Sequence, residues 1–485
     1  MEQINKIAVI YGDGIGPEII ESSLDILSKA DVKISIDAVD IGGKWFERGY
    51  VDGIPDTAWE TIRNNKVILK APITTPQGGG YKSINVTLRK SLGLYANVRP
   101  CKSYHPYIKT NFPKQDLVII RENEEDSYTG VEYRQTKTAY HCLKMVTRPG
   151  CERISKFAFD YALRNGRKKI TCMMKDNIMK MTDGIFHKVF DETAKFYPEI
   201  TSDQMIIDIG TAKIAAHPED FDVVVTTNLY GDIISDVAAE ISGSVGVGGS
   251  ANIGDEFAMF EAIHGSAPDI AGKNIANPTG LINAIIMMLE HMRIDDKALL
   301  IKDALHKTIE DGIHTGDIYN PTISSKKVGT KEFANEVITR LGEKPKKFKY
   351  RKVKKIAEEK LLRNIDISKE FPLEKQKDFV GIDVVCDVTN SDVEDFAKKL
   401  QDVSKNTAFG LQFISSRGIK IWPVKYFFGI NSDCLRCRFI ANTQDKKVTH
   451  SDLIKLLGNF TKEKIDFIRI ENLYLFNGEL GFRVL

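Results

Sequence analysis

The chain has 485 residues, which at roughly 100 to 200 residues per domain predicts about two to four domains and excludes a single small stapled module. Apolar residues make up 42% and charged residues 28%, ordinary values for a globular protein that exclude wholesale disorder, collagen-like repeats and coiled-coil rods. Sixty-eight basic side chains nearly cancel 66 acidic ones, and a net charge of +2 gives no global field for recruiting nucleic acid or an anionic membrane.

Met1 leads almost directly into a strand-like run at residues 6–10, with no basic-plus-apolar leader and no Arg/Ser-rich transit segment, so a cytoplasmic location is expected. From there to about residue 341, β-branched runs alternate with helix-length segments, the pattern of an α/β fold around a largely parallel sheet. Strands are expected at 6–10, 67–70, 117–121, 169–173 and 222–226, and helices at 17–30, 153–165, 178–197 and 279–292. The most apolar stretch, 281–289, is interrupted by Asn283 and falls short of the ~18 residues of a membrane span, so it reads as a buried helix.

Four segments of this body carry chemistry. Tyr11-Gly12-Asp13-Gly14-Ile15-Gly16 follows the first strand, but its G-x-G-x-G spacing is not the Rossmann G-x-G-x-x-G, and no P-loop GK[ST] occurs. It is either a backbone cradle for an anion or a tight turn. Thr74 opens a glycine-rich run that leads to Ser83, Asn85 and Arg89, followed by Arg99 and Arg121. Three planar, permanently charged guanidinium forks near small polar residues suit a ligand with several carboxylates, the alternative being unrelated solvated arginines. Asp232 and Asp236 stand at i and i+4 on one helical face, and without a nearby His or thiolate such a pair favours Mg²⁺ or Mn²⁺. Asp208, placed at the end of a strand-like 205–207 run, is a third candidate oxygen donor. Finally, His264-Gly265-Ser266-Ala267-Pro268-Asp269-Ile270 and the later Asn277 form a loop that could bracket an adenine and ribose, with Asp269 accepting the ribose hydroxyls; the alternative is a capped loop with a structural His.

The composition changes at residues 344–355, KPKKFKYRKVKK, a basic run read as a solvated linker over 342–377 rather than a nucleic-acid patch. Beyond it, a strand at 379–388, a helix at 392–404 capped by Ser391 or Asp392, strands at 410–422 and 435–441, a helix from Thr449 or Ser451, and a hairpin turning at Asn477-Gly478 give the order βαβ-βαβ. That is a small α+β ferredoxin-like domain over 378–485. Seven scattered cysteines lack the density of a disulfide scaffold and indicate a reducing compartment, and the close pair Cys434 and Cys437 reads as ordinary strand cysteines.

Taken in order, GDGIGPE, NVTLRKSLGLYANVRP, VIIRENEEDSYTG, KDNIMKMTDG, NLYGDIISD and GSANIGDEFAMFEAIHGSAPDIAG resemble the β-decarboxylating dehydrogenase family, which includes isocitrate, 3-isopropylmalate and homoisocitrate dehydrogenases. The resemblance covers residues 4–341 and implies a two-part, isopropylmalate-dehydrogenase-like catalytic body that is not a Rossmann fold. Its large domain would comprise 1–100 with 265–341, and its small domain, 101–264, would carry a dimer-forming clasp. Ser83 and Asn85 favour the isocitrate-type members, whose residues at these positions hydrogen-bond the distinguishing carboxylate. A site built that way rejects an isopropyl group, because its polar partners would be left unpaired.

Carried onto this sequence, the resemblance implies that Arg89, Arg99 and Arg121 clamp the substrate carboxylates and that Asp208, Asp232 and Asp236 hold Mg²⁺ or Mn²⁺. Lys175 and Tyr128 would be the acid/base pair, with Lys175 and Asp208 donated by the neighbouring subunit, so a homodimer with shared sites is expected. Cofactor contacts would come from Thr74, His264, Gly265, Ser266, Ala267, Asp269, Ile270 and Asn277. Where family members that use NADP carry Lys-Tyr, this chain carries Asp269-Ile270; a carboxylate repels a 2′-phosphate, so NAD is expected in preference to NADP. The expected reaction is oxidative decarboxylation of a small tricarboxylate to 2-oxoglutarate. Ser83 also matches a serine that some relatives have phosphorylated, though a plain hydrogen bond to substrate is the preferred reading. The tail resembles the C-terminal extension of some bacterial members, and an assembly role is expected of it; nucleic-acid binding by linker and tail is the rival, disfavoured because the tail lacks an aromatic RNP-like strand.

Overall fold

Alternation along the first strand, β1 (Asn5–Ile10), sends Ile7 and Val9 to one face and Ala8 and Ile10 to the other, and all four are buried. A strand buried on both faces needs a layer on each side. Ile7 and Val9 join the larger core with α1 (Gly16–Lys29), while Ala8 and Ile10 pack with Ala58, Ile62, Ile84 and Leu88 from α3 (Asp56–Asn65) and α4 (Ile84–Ser91); the short α2 spans Gly43–Glu47. This computed structural model describes residues 5–75, 82–348, 367–370, 376–389, 392–424, 429–442 and 448–484. Residues 76–81 of the glycine-rich run and most of the linker lie outside them.

Contacts divide the chain into two units, Met1–Thr129 with Lys144–Ile365, and Gly130–Leu143 with Asp366–Leu485. The first is organised by one ten-stranded sheet. After β1 come β2 (Ile34–Val39), β3 (Val67–Lys70), β4 (Ala96–Lys102) and β5 (Asp116–Glu122). A hairpin of β6 (Glu132–Arg134) and β7 (Tyr140–Cys142) follows, which belongs to the second unit. The sheet is completed by β8 (Lys169–Met174), β9 (Thr201–Ile206), β10 (Val223–Thr226), β11 (Gly249–Ile253) and β12 (Ala258–Ala262), in the order β2-β1-β3-β12-β11-β4-β5-β10-β8-β9. Its two wings are parallel, as expected, but the β12-β11-β4-β5 centre is antiparallel. The sequence reading missed this centre because β4 and β11 carry Asn97, Arg99 and Asn252 on a buried face and so do not read as apolar strands.

Helices α5 (Arg148–Arg164), α6 (Thr182–Ala194), α7 (Ile207–Ala216), α8 (Asn228–Ile241), α9 (Thr279–His291), α10 (Asp295–Glu310) and α11 (Thr330–Thr339) complete the layers, with a two-stranded pairing of β13 (Ile313–His314) and β14 (Lys326–Lys327). The expected buried helix is α9. Helix α5 begins five residues earlier than expected because Thr147 caps it, its side chain accepting from Gly150 N. Asp208, expected at a strand end, lies in the first turn of α7. The start of the basic run is anchored: the amides of Lys346 and Lys347 donate to Glu310, and Phe348 packs against Tyr104, Tyr107 and His306.

The second unit contains an antiparallel sheet of β15 (Lys377–Asp387), β16 (Phe409–Ser416), β17 (Ile419–Trp422), β18 (Cys434–Ala441), β19 (Phe467–Phe476) and β20 (Glu479–Leu480), ordered β17-β16-β18-β15-β19-β20. Helices Val393–Ser404 and His450–Lys462 supply Leu400, Leu456 and Phe460 to its core. The four long strands keep the ferredoxin-like order. Asp392 caps the first helix, and Thr449 closes a capping box with Asp452 on the second. The single strand expected at 410–422 is two, because Arg417-Gly418 turns the chain through positive φ. Asn477-Gly478 makes the expected turn, both residues at positive φ. Within this unit, Thr138 Oγ1 of the β6–β7 hairpin donates to Asp433 at 2.6 Å, and Cys434 of β18 lies 3.6 Å from His141.

Candidate functional site

Parallel strands deliver side chains where they end. Arg121 leaves the end of β5, and β10 leads through Thr227 into α8, which begins at Asn228 and carries Asp232 and Asp236 one turn apart. Arg121 is almost fully buried; its Nε and Nη2 donate to Asn228 Oδ1 at 3.0 and 2.7 Å, and its Nη1 pairs with Asp232. Gly231 is required here, since a Cβ would stand 2.5 Å from the Arg121 side chain. Arg99, from β4, donates to Asn97 at 2.7 Å and Ser235 at 2.6 Å, and reaches Asp236 at 3.2 Å and Asp232 at 3.5 Å. The hydroxyl of Tyr128 donates to the other oxygen of Asp232, and the Arg121 guanidinium lies 4.9 Å from its ring centre.

The electrostatics follow from this crowding. Burial and the neighbouring Arg99 and Arg89 lower Arg121 to about 10, still protonated at neutral pH. Burial alone would raise Asp232, but Arg121, Arg99 and the Tyr128 hydroxyl outweigh it and hold the carboxyl below its usual range. Asp236 is raised, by burial and by the Asp232 charge against the pull of Arg99. Tyr128 is raised by burial and by its bond to Asp232, which keeps the phenol protonated.

Arg89 comes from the last turn of α4, and Ser83 is the cap of the same helix. Arg89 Nη2 meets Glu261 at 2.9 Å, while its Nε is buried without a hydrogen-bond partner among the described residues, as is Asn85 Oδ1. Ser83 Oγ lies 3.1 Å from Thr75 Oγ1.

Lys175 and Asp208 stand apart from this cluster. Lys175 follows β8 and pairs with Asp208 at 2.7 Å, a hydrogen bond that lowers the exposed carboxyl. Among the described residues no hydrogen bond or ion pair joins the two to the arginines, Tyr128, Asp232 or Asp236.

The glycine-rich turn and the His264 loop meet. Ile15 N donates to Ser266 O at 2.9 Å, Thr74 Oγ1 lies 2.8 Å from Ser266 Oγ, and Asp13 accepts from Thr74 N at 2.9 Å. A Cβ on Gly12 or Gly14 would strike the backbone oxygen of Pro72 or Ser266 at 2.2 or 2.0 Å. The amides of Asp13, Ile15 and Gly16 all bond protein carbonyls, so of the two readings of this turn close backbone packing prevails over an anion cradle. His264 Nε2 is buried and unpaired among the described residues, and burial lowers its pKa, leaving a neutral ring with an open ring nitrogen. Gly265, Pro268 and Asp269 are exposed, Ala267 sits at φ 38°, and Ile270 packs against the core. Asn277 is drawn away: its amide donates to Asp317 at 2.9 Å and its carbonyl oxygen caps α9 at Thr279 N.

Sequence reasoning missed the residues beneath the arginines. Glu261 is buried between Lys70 at 2.6 Å and Arg89; burial opposes its ionisation, but the two cations hold it strongly ionised. Asn252 bonds Glu261 at 2.8 Å and Asn97 at 3.0 Å, and Asn97 in turn accepts from Arg99, so two of the three arginines are joined through a buried polar chain. The available signal was a single charge inside an apolar strand, Lys70 in VILKA and Glu261 in MFEA.

Asp232 and Asp236 fit a hard divalent cation: their donors are carboxylate oxygens only, and a cation there would offset the burial and, after it, the Asp232 charge that raise Asp236. Among the described residues no group of three or more His, Cys, Asp or Glu side chains is placed to hold a metal. No helix among the described residues is long and apolar enough to cross a membrane.

Residues 6–337 match the isocitrate/isopropylmalate dehydrogenase family, and residues 377–485 match the bacterial isocitrate dehydrogenase C-terminal domain. The chain is 54% identical over 485 residues to isocitrate dehydrogenase [NADP] of Rickettsia bellii, covering 99% of each. Its fold matches the TT0538 protein of Thermus thermophilus with a TM-score of 0.90 at 36% identity, covering 99% of this chain and 95% of that one. An isocitrate dehydrogenase from Methylococcus capsulatus matches with a TM-score of 0.66 at 44% identity, covering 70% of this chain and 99% of its own. Fold, motif order and full-length similarity agree: the chain belongs to the isocitrate/isopropylmalate dehydrogenase family and carries the C-terminal domain of its bacterial isocitrate dehydrogenases.

Proposed function

We propose that this chain oxidatively decarboxylates isocitrate to 2-oxoglutarate and CO₂, the reading carried above all by the gathering of Arg89 and the buried Arg99 and Arg121 around Tyr128, Asp232 and Asp236. Three guanidinium groups suit a tricarboxylate, and the unpaired Arg89 Nε is a donor waiting for an anion. The 3-isopropylmalate and homoisocitrate alternatives are not favoured by the full-length relatives, which are named for isocitrate.

The cofactor reading is NADP. Relatives from Rickettsia and Thermus carry NADP in their names, and the NAD preference drawn from Asp269-Ile270 finds no support in them. The physical weakness of that inference is exposure: Asp269 faces solvent, where water and salt screen its repulsion of a phosphate. Thr74, Ser266 and His264 are the residues we assign to cofactor binding, with Gly265, Ala267, Asp269, Ile270 and Asn277 lining or supporting the same loop.

We also read the protein as a homodimer that completes its site across the interface. Ile178, Met181, Ile209, Leu229 and Ile233 are exposed on the segments around Lys175, Asp208 and Asp232, an apolar surface that a second copy would cover. The β6–β7 hairpin is assigned as the clasp. Lys175 and Asp208 would then enter the partner's arginine cluster.

When bound, Mg²⁺ or Mn²⁺ held by Asp232, Asp236 and the partner copy's Asp208 supplies Lewis-acid polarisation of the substrate 2-oxygen, and NADP supplies the hydride acceptor. The arginines fix the carboxylates, with Ser83 and Asn85 at the start of α4 reading the one that distinguishes isocitrate. Lys175 would relay the 2-hydroxyl proton: one of its own protons passes along its bond to Asp208 as its nitrogen takes the proton of the hydroxyl. The bond to the β-carboxylate then breaks toward the new carbonyl, CO₂ leaves, and Tyr128 protonates the resulting enol carbon.

The test follows reduced nicotinamide with isocitrate, 3-isopropylmalate or homoisocitrate, with Mg²⁺ or Mn²⁺, and with NADP or NAD. Isocitrate with NADP should give the largest kcat/KM. A preference for either other acid sinks the substrate reading, and a larger kcat/KM with NAD sinks the cofactor reading.

A further inference from the structure

Lys144 lies outside every residue assigned above, yet it bridges two buried carboxylates. Its ammonium meets Asp183 at 2.6 Å and Asp126 at 3.7 Å and sits 4.6 Å from the ring centre of Tyr230. Asp183 is fully buried; its second oxygen accepts the backbone N–H of Lys175 at 2.7 Å, and it also bonds the Tyr230 hydroxyl. Asp126 is equally hidden, holds a left-handed φ of 68°, and accepts from Leu229 N at 3.0 Å and Ser127 N at 2.7 Å. One carboxylate thus holds the amide of Lys175, and the other ties the turn before Tyr128 to the start of the helix that bears Asp232 and Asp236.

Two buried carboxylates this close would repel each other and lose their ionisation without a shared cation. We propose that Lys144 is a positioning residue for the reaction: by bridging Asp183 and Asp126 it fixes the proton-handling Lys175 relative to Tyr128 and α8. This rests on the functional reading above. If each chain lends Lys175 to its partner, the same clamp ties the group a chain donates to the site it keeps, so the geometry of both sites depends on one largely shielded cation.

Lys144→Met keeps the length and apolar stem of the side chain and removes only the charge. Displacement of Lys175 or Tyr128 by about an ångström should lower kcat by roughly 10- to 100-fold, with KM for isocitrate within about threefold of wild type because the three arginines do not touch the clamp. Lys144→Arg, which can still bridge the two carboxylates, should recover most of kcat. A Lys144→Met protein that loses thermal stability but keeps wild-type kcat overturns the proposal, as does a change confined to KM. Should Lys144→Met fail to fold, Tyr230→Phe removes a single hydroxyl from the same hub: a fall in kcat at unchanged KM supports the clamp, and wild-type kinetics overturn it. Wild-type protein inactive on isocitrate would instead defeat the functional reading, so the two failures are distinguishable.

Discussion

The arginine cluster and the Lys175–Asp208 pair differ in how much protein surrounds them. Arg99 and Arg121 are buried, and their polar neighbours are committed to holding them; the Lys175–Asp208 pair rests on one ion pair and a largely exposed carboxylate. On the reading proposed above, the groups that recognise the anion are held by partners within one chain, whereas the proposed proton-handling pair is presented on a surface that also exposes Ile209 and Ile233. On that reading, preorganisation belongs where charge is recognised, and exposure where a second copy would fit.

The largest effect that would test this contrast comes from mixing two inactive variants. Lys175→Met should lower kcat by about 10²- to 10⁴-fold as an acid/base group is lost, and Arg121→Met should raise the isocitrate KM steeply while stranding Asp232 and Asn228. After subunit exchange, a one-to-one mixture should recover about a quarter of wild-type activity, since half of the dimers would hold one intact site of two. No recovery despite demonstrated exchange would mean that each chain completes its own site.

Next in size is the buried layer. Glu261→Gln leaves Lys70 and Arg89 as neighbouring cations without their counter-charge, and should cost about 3 to 5 kcal/mol, read as a fall in the urea midpoint. A smaller loss would place Glu261 in a looser, wetter layer than its burial indicates.

A pH effect follows from Glu122, which burial raises to about 7 against the pull of the Glu124 and Glu125 amides. A carboxyl whose folded pKa exceeds its unfolded value binds more protons when native, so stability falls as pH rises from about 4.5 to 7 and levels off above. Glu122→Gln should remove that slope, worth roughly 2 to 3 kcal/mol, and the comparison of unfolding midpoints at pH 5 and pH 8 reads it.

The smallest effect belongs to the exposed loop. Asp269→Asn should change the NADP to NAD ratio of kcat/KM by about tenfold or less, because a solvent-screened charge is worth little. A far larger change would show that the loop closes on the cofactor and excludes water.

Much of this is legible in the sequence. Strand and helix periodicity located β1, β3, β5, β8, β10, α1 and α9, and small capping residues located both helices of the C-terminal domain. The order of the motifs carried the family and the proposed site residues, but not Lys70, Asn97, Asn252 and Glu261 beneath the arginines. Hidden from the sequence were the antiparallel centre of the sheet, the place of Asp208 in a helix turn, and the commitment of Asn277 to Asp317, because each depends on partners distant in sequence.

The sequence by itself determined the α/β body, the ferredoxin-like tail and the inventory of arginines, carboxylates, tyrosine and lysine, since these follow from local periodicity and residue chemistry. Only the tertiary structure decided which of those charges are buried together. Asp183 looks like any surface charge in a near-neutral chain, and even Lys70 and Glu261, each a lone charge in an apolar strand, show no partner in sequence; what sets the three apart is removal from water, which makes each one require a partner. The net charge of +2 therefore averages over two unlike populations, one solvated and dispensable, the other buried and paired around the site.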